Sequence, residues 1–142
     1  MPDRTASTPA QPAARTFGST ALGPAVHAAL RIGAGLLFMQ HGAQKLFGLL
    51  GADAPVDLVS LMGLAGVLEF FGGLLIVIGL FTRPVALILV LEMLAAFFMA
   101  HMPQGGFPVQ NGGEPALLYA LIFAFLAGNG AGPASLDGRR SG

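Results

Sequence analysis

Four apolar runs, each close to the length of a membrane-crossing helix, constrain this chain more than any other feature. They fall at about Leu22 to Phe47, Leu58 to Leu80, Pro84 to His101 and Pro115 to Gly128. A helix needs roughly 17–25 residues to cross the hydrocarbon. Helices of a soluble bundle keep a charged face, and these runs mostly do not. Only 10% of the 142 residues are charged and 54% are hydrophobic, whereas soluble domains carry about 25% charged residues. So few charges cannot coat a soluble globule of this size. The expected fold class is all-α, a transmembrane four-helix bundle in a multi-pass protein of the cell (cytoplasmic or inner) membrane.

The segments between the runs divide the chain. Residues 1–20, MPDRTASTPAQPAARTFGST, are rich in Pro, Ser, Thr and Ala and predict a disordered tail. The apolar run that follows is too long for a signal-peptide core, so it is expected to be the first span. The membrane domain is expected over residues 21–137, with a C-terminal tail over 138–142. Thr82-Arg83-Pro84 predicts a tight turn, Thr82 capping the next helix and Pro84 lying in its first turn. MPQGGFPVQNGGEP is a Gly/Pro loop, and GNGAGP ends the last helix.

Lys and Arg placement gives an orientation. Arg4 and Arg15 precede the first run, Arg83 lies in the second connection, and Arg139 and Arg140 follow the last run. The first and third connections hold neither Lys nor Arg, and the first carries Asp53 and Asp57. This alternation predicts four crossings with both termini cytoplasmic. Net charge is zero with histidine neutral and there is no basic patch, which gives nucleic-acid binding no support. Cysteine is absent, so dithiol exchange and thiolate ligation are closed to this chain.

A few polar groups interrupt the apolar runs. Arg31, Ala34, Phe38, His41 and Lys45 fall on one helical stripe, and Arg31 is roughly 21 Å from Lys45 along the axis. Lys45 is expected to snorkel to the headgroups near the outer end. Glu69 is the single charge of the second run, on a face with Gly66 and Gly73, and Glu92 is the single charge of the third. An isolated charge at the bilayer centre costs about 2.5–3.5 kcal/mol on insertion scales. The expectation is one buried charge cluster of Arg31, Glu69 and Glu92, with Arg31 compensating one carboxylate and the pair sharing a proton. The alternative is that these groups only fix helix register.

Nearer the outer face, Gln40, His41, Gln44 and Lys45 lie one turn apart in pairs, with Tyr119 and His101 at a similar level. Together they make an expected outer polar pocket of a kind that hydrogen-bonds a quinone carbonyl. The alternative is interfacial anchoring. His41 and His101 also raise haem ligation, for which a histidine pair without a cofactor motif is weak support. No spacing matches a compact metal motif, and there is no phosphate loop, dinucleotide fingerprint or nucleophile elbow.

The order of these pieces resembles the DoxX family. R-x₉-H-G-x₂-K is present as Arg31, His41, Gly42 and Lys45. LEFFGGLLIVIGLFTRP follows with Glu69, Gly72 and Gly73, then Glu92. GAGPASLD, Gly130 to Asp137, resembles that family's terminal G-x-G-x-x-S-L-D. The resemblance covers roughly residues 22–137. It implies a four-helix membrane protein linked to membrane redox systems, with quinone as the associated cofactor and redox-enzyme subunits as partners beside the lipid bilayer. It does not settle whether the chain is itself an enzyme. Three functions compete: a membrane or accessory subunit of a quinone-linked redox system; a small transporter or proton carrier working through Arg31, Glu69 and Glu92, which at this size needs a homo-oligomer; and a non-catalytic scaffold.

Overall fold

The computed structural model of the protein describes residues 22–140, and every regular element among them is helical. The tail expected over 1–20 and the last two residues of the tail expected over 138–142 lie outside them. Helix α1 is Leu22–Phe47, α2 is Leu61–Ile78 and α3 is Thr82–Gln104. These three are long and apolar enough to cross a membrane. A single turn, α4, covers Pro108–Asn111. The apolar helix α5, Glu114–Asn129, is shorter, and α6 is Leu136–Arg140.

The helices start and stop where local chemistry allows. Gly48, at φ 62°, stops α1, its N–H donating to the Gln44 carbonyl at 3.1 Å. Ser60 caps α2, its hydroxyl accepting from the Gly63 N–H at 3.0 Å. Left-handed Gly79 ends α2. The N–H groups of Leu80 and Gly79 return to the carbonyls of Leu75 and Ile76, the paired bonds of a Schellman stop.

The expected cap of α3 is corrected by the structure. Thr82 does not cap it. The Asp137 carboxylate does so from far along the chain, accepting from the Phe81 N–H at 2.9 Å and the Thr82 N–H at 2.8 Å. Sequence windows around a helix start do not reach a cap supplied from 55 residues away.

The bundle is built as two pairs. α1 lies along α2, and α3 lies along α5, with thinner contacts between the pairs. The first pair is close because glycines remove the intervening side chains. A Cβ at Gly42 would collide with the Phe70 backbone, and one at Gly35 would come within 2.9 Å of the Gly73 carbonyl oxygen. The second pair is held by Ala86, Leu89 and Met93 against Ala116, Ala120, Phe123 and Leu126. Phe38 joins the pairs, its ring 4.8 Å from Phe123 and 5.0 Å from Tyr119 between centroids. Most other large apolar side chains point outwards and are exposed, as expected of a surface that meets lipid.

Two helices widen locally into π turns, at Leu68–Gly72 in α2 and Phe97–His101 in α3. Such turns recur at functional sites, because the extra residue rotates a side chain off the regular face. The first carries Glu69 and the second ends at His101.

Candidate functional site

The two intramembrane cations of α1 have different fates. Arg31 is fully buried. Its Nε donates to the Ala131 carbonyl at 2.8 Å, and Nη1 donates to those of Ile76, at 2.7 Å, and Val77. Nη2 donates to those of Pro133, at 3.3 Å, and Ala134, at 2.8 Å. Ile76 and Val77 belong to the last turn of α2, where the i+4 N–H partners run out and the dipole is negative; the Ile76 carbonyl also accepts from the Gly79 N–H. The other three acceptors belong to the segment after α5.

The expected cluster of Arg31 with Glu69 and Glu92 is therefore corrected. Backbone carbonyls take every Arg31 donor atom, and no hydrogen bond or ion pair joins Arg31 to either glutamate. The physical reason is that helix-end carbonyls compensate a guanidinium without a second buried charge.

Around Arg31 the segment after α5 is tied at several points. Asp137 donates its own N–H to the Gly79 carbonyl at 2.9 Å. The Ser135 hydroxyl donates to the Gly132 carbonyl at 2.6 Å and accepts from the Gly138 N–H. The His27 ring bonds the Gly130 carbonyl at 3.1 Å. Burial by itself would raise the Asp137 carboxyl. The Thr82 and Phe81 backbone N–H groups, with Arg140 nearby, outweigh that and hold it below the usual aspartate value. Phe81 and Ala134 sit in the left-handed region, at φ 50° and 54°, which costs a non-glycine residue roughly 1–2 kcal/mol. Both lie inside this knot, whose bonds fix the strained backbone.

Lys45 does not snorkel outwards. Its Nζ is 2.6 Å from both oxygens of Glu69, and Glu69 is buried on the π turn of α2. The lysine side chain keeps 22% of its surface accessible, so one side of the pair is open. Glu92, from α3, lies within electrostatic reach of both Glu69 and Lys45. Its two carboxyl oxygens are buried without a hydrogen-bond partner among the described residues. Tyr119, from α5, lies within reach of Glu69, and its ring meets that of His41 edge-on at 6.0 Å. Helices α1, α2, α3 and the shorter α5 each contribute a polar side chain to this region: His41 and Lys45, Glu69, Glu92 and Tyr119, with the Lys45–Glu69 pair its one direct ionic contact among the described residues.

The remaining residues of the expected outer pocket stay outside the cluster. Gln40 is exposed. The Gln44 side-chain amide donates to the Leu50 carbonyl at 3.0 Å, closing the end of α1. His101 Nδ1 is 3.1 Å from the Asn111 carbonyl oxygen, which fixes the loop between α3 and α5. The structure divides the expected pocket accordingly, keeping His41, Lys45 and Tyr119 and joining to them the two glutamates first assigned to Arg31. Sequence reasoning missed three structural roles: the cap by Asp137, the anchor by His27, and the carbonyl acceptors of Arg31. The first had a signal, an Asp in the terminal motif. The carbonyls had none, since every residue carries one.

An open groove of about 580 Å³ runs between α1 and α5, lined by Ala29, Leu30, Leu37, Leu118, Tyr119 and Ile122 among others. It lies on the thinly packed seam between the helix pairs, is mainly apolar, and has the tyrosine of the cluster in its wall. An apolar molecule with a polar head suits a groove of this make-up.

A family model, DoxX, matches residues 26–102. That range includes Arg31, His41, Lys45, Glu69 and Glu92 and stops before Tyr119 and the segment around Asp137. A Haemophilus influenzae (strain Rd) protein described as "Uncharacterized protein" is 40% identical over 117 residues, 78% of this chain and 87% of that one. No solved structure gives a significant match.

Proposed function

The chain belongs to the DoxX family, and from that premise we propose that it is a membrane subunit of a quinone-linked redox system in the cytoplasmic membrane. The observation that carries this reading is the polar cluster at the seam between the helix pairs, beside a groove open to lipid. In this reading the chain crosses the membrane four times, with both termini cytoplasmic. The basic residues Arg83, Arg139 and Arg140 support that orientation, as does the lack of Lys and Arg in the connections at the opposite end. The fourth crossing is α5. Its 16 residues rise about 24 Å, short of the roughly 30 Å core, and its packing on the longer α3 supports it.

The residues present fit a quinone head. Such a head has carbonyl oxygens that need donors and a ring that needs apolar walls. The Lys45 ammonium has three N–H donors, one more than Glu69 takes. His41 and the Tyr119 hydroxyl add further donors. Glu92 supplies a buried carboxyl with no hydrogen-bond partner among the described residues, suited to holding a proton beside the site. Bound there, a quinone would supply two-electron, two-proton redox chemistry. The protein's own residues would orient the head, exclude water and exchange the protons, while the electrons pass to a redox partner subunit.

The test uses a built-in reporter. Tyr119 is the one tyrosine of the chain and tryptophan is absent, so intrinsic fluorescence reports on the site. A short-chain ubiquinone or menaquinone analogue added to detergent-purified protein should quench Tyr119 saturably and raise Tm. His41→Ala should weaken binding about tenfold, the loss of one hydrogen bond to an otherwise unpaired group. Saturating analogue with neither effect would remove this reading.

The buried Glu92 carboxyl, without a hydrogen-bond partner among the described residues, favours a second reading, a proton carrier. Its site would be Lys45, Glu69 and Glu92, since Arg31 is committed to carbonyls. Proteoliposome proton flux lost in Glu92→Gln would support it, and zero flux under any gradient would end it.

A further inference from the structure

A second cleft, of about 630 Å³, opens at the Arg83 end of the bundle, between the start of α3 and the segment after α5. Its walls include Phe81, Arg83, Pro84, Gly130, Asp137 and Arg140. The Arg83 guanidinium lies over Gly130, where a Cβ would come within 3.3 Å of Nε. It spends one bond on the Gly128 carbonyl, from Nη1 at 2.8 Å. Gly130 has a positive φ of 79° with an extended ψ of −166°, a backbone that favours glycine, and the lack of a side chain there leaves the floor of the cleft open. From the other side Arg140 reaches over the Phe81 ring, 5.7 Å from its centroid, a cation–π contact that holds a flexible arginine in place. The one acid among the described residues of the walls, Asp137, already accepts from two backbone N–H groups. Two arginines therefore face the cleft against one carboxylate whose oxygens are engaged.

We propose that this cleft binds the phosphate headgroup of an anionic phospholipid. Arginine presents a planar fork of N–H donors that matches phosphate oxygens. The lipid, rather than free phosphate, is the source because Phe81 is exposed at the rim beside Pro84, at the end of two membrane-length helices. A headgroup seated between the arginines would lay its acyl chains along that apolar rim. In the orientation proposed above this is the cytoplasmic leaflet, where anionic lipids collect. The binding does not depend on the quinone reading.

The experiment is lipid retention by the full chain in mild detergent, read by native mass spectrometry and by Tm. Phosphatidylglycerol should be retained over phosphatidylcholine by about 25-fold, since each arginine near an anionic surface contributes roughly a fivefold preference. The preference should shrink as salt rises. Arg83→Gln with Arg140→Gln should bring the two lipids near parity, and Arg83→Lys with Arg140→Lys should keep most of the preference. Equal retention of the two lipids by the unsubstituted protein would overturn the proposal. So would an undiminished preference in the glutamine variant. Displacement of phosphatidylglycerol by equimolar inorganic phosphate would make the cleft a free-anion site and overturn the lipid assignment. Should the glutamine variant fail to fold, the lipid and salt comparisons on the unsubstituted protein decide the matter alone.

Discussion

Arg31 keeps its charge away from water by donating to five carbonyl oxygens on two separate stretches of backbone. Each buried acceptor left without a donor costs about 1–3 kcal/mol. Arg31→Ala should therefore lower unfolding free energy by about 3–5 kcal/mol in denaturant titrations, and Arg31→Lys should restore little, since an ammonium has only three donors. Glu69→Gln should give no rescue of Arg31→Ala. It should rescue Lys45→Met instead, because removing one member of a buried pair strands the other charge. Asp137 gives a pH signature. Its carboxyl is held below its ordinary value of 3.8, so the folded state favours the ionised form. That contribution is whole above 3.8 and is lost as pH falls through the lower folded value. The Tm gap between the unsubstituted protein and Asp137→Asn should be constant from neutral pH down to that region, then close in stronger acid.

Among the elements, α1 and α2 depend on small residues at their contact. Gly42→Ala should destabilise by about 1–3 kcal/mol, because its methyl would meet the Phe70 backbone, which cannot move without shifting the helix. Gly33→Ala on the same helix is the control: nothing lies within 4 Å of a Cβ there, so it should be neutral or stabilise by up to about 1 kcal/mol, the ordinary helical gain of Ala over Gly. The helix spans themselves were legible from hydropathy. The expected run of Leu22 to Phe47 is the observed α1, and the second and third spans shift by only a few residues. Hydropathy gives the extent of each span but not the level at which a charge of one span meets a charge of another: Lys45 was expected at the outer end and Glu69 near mid-span, and the two pair. Nor does it give rotation about the axis, and the π turn at Glu69 changes that rotation locally. Arg31 and Lys45 share one stripe of α1 and differ by roughly 21 Å along its axis, so choosing between them as the partner of Glu69 needed the relative depth of α1 and α2, and the wrong cation was expected.

At the scale of the molecule, two tight helix pairs meet along a thinner seam, and the candidate site occupies the seam. A closure that moves one pair against the other would change the distance of Glu92 from Lys45 while leaving the Lys45–Glu69 bond, internal to one pair, intact. The opposite end is fastened by the segment after α5, which holds α1, α2 and α3 together through Arg31, Gly79 and Phe81. Removing residues 130–142 should therefore prevent recovery of a monodisperse protein on size exclusion, although every long helix would remain. The same fastening bears on how the protein is made. Arg31 leaves the ribosome 100 residues ahead of Ala131, so its guanidinium enters the translocon before three of its five acceptors have been translated. Until they arrive it needs temporary shelter, from lipid phosphates or from an insertase. The native arrangement is then a late, post-insertion event, and ribosomes stalled soon after α5 should carry a nascent chain that quality-control proteases recognise.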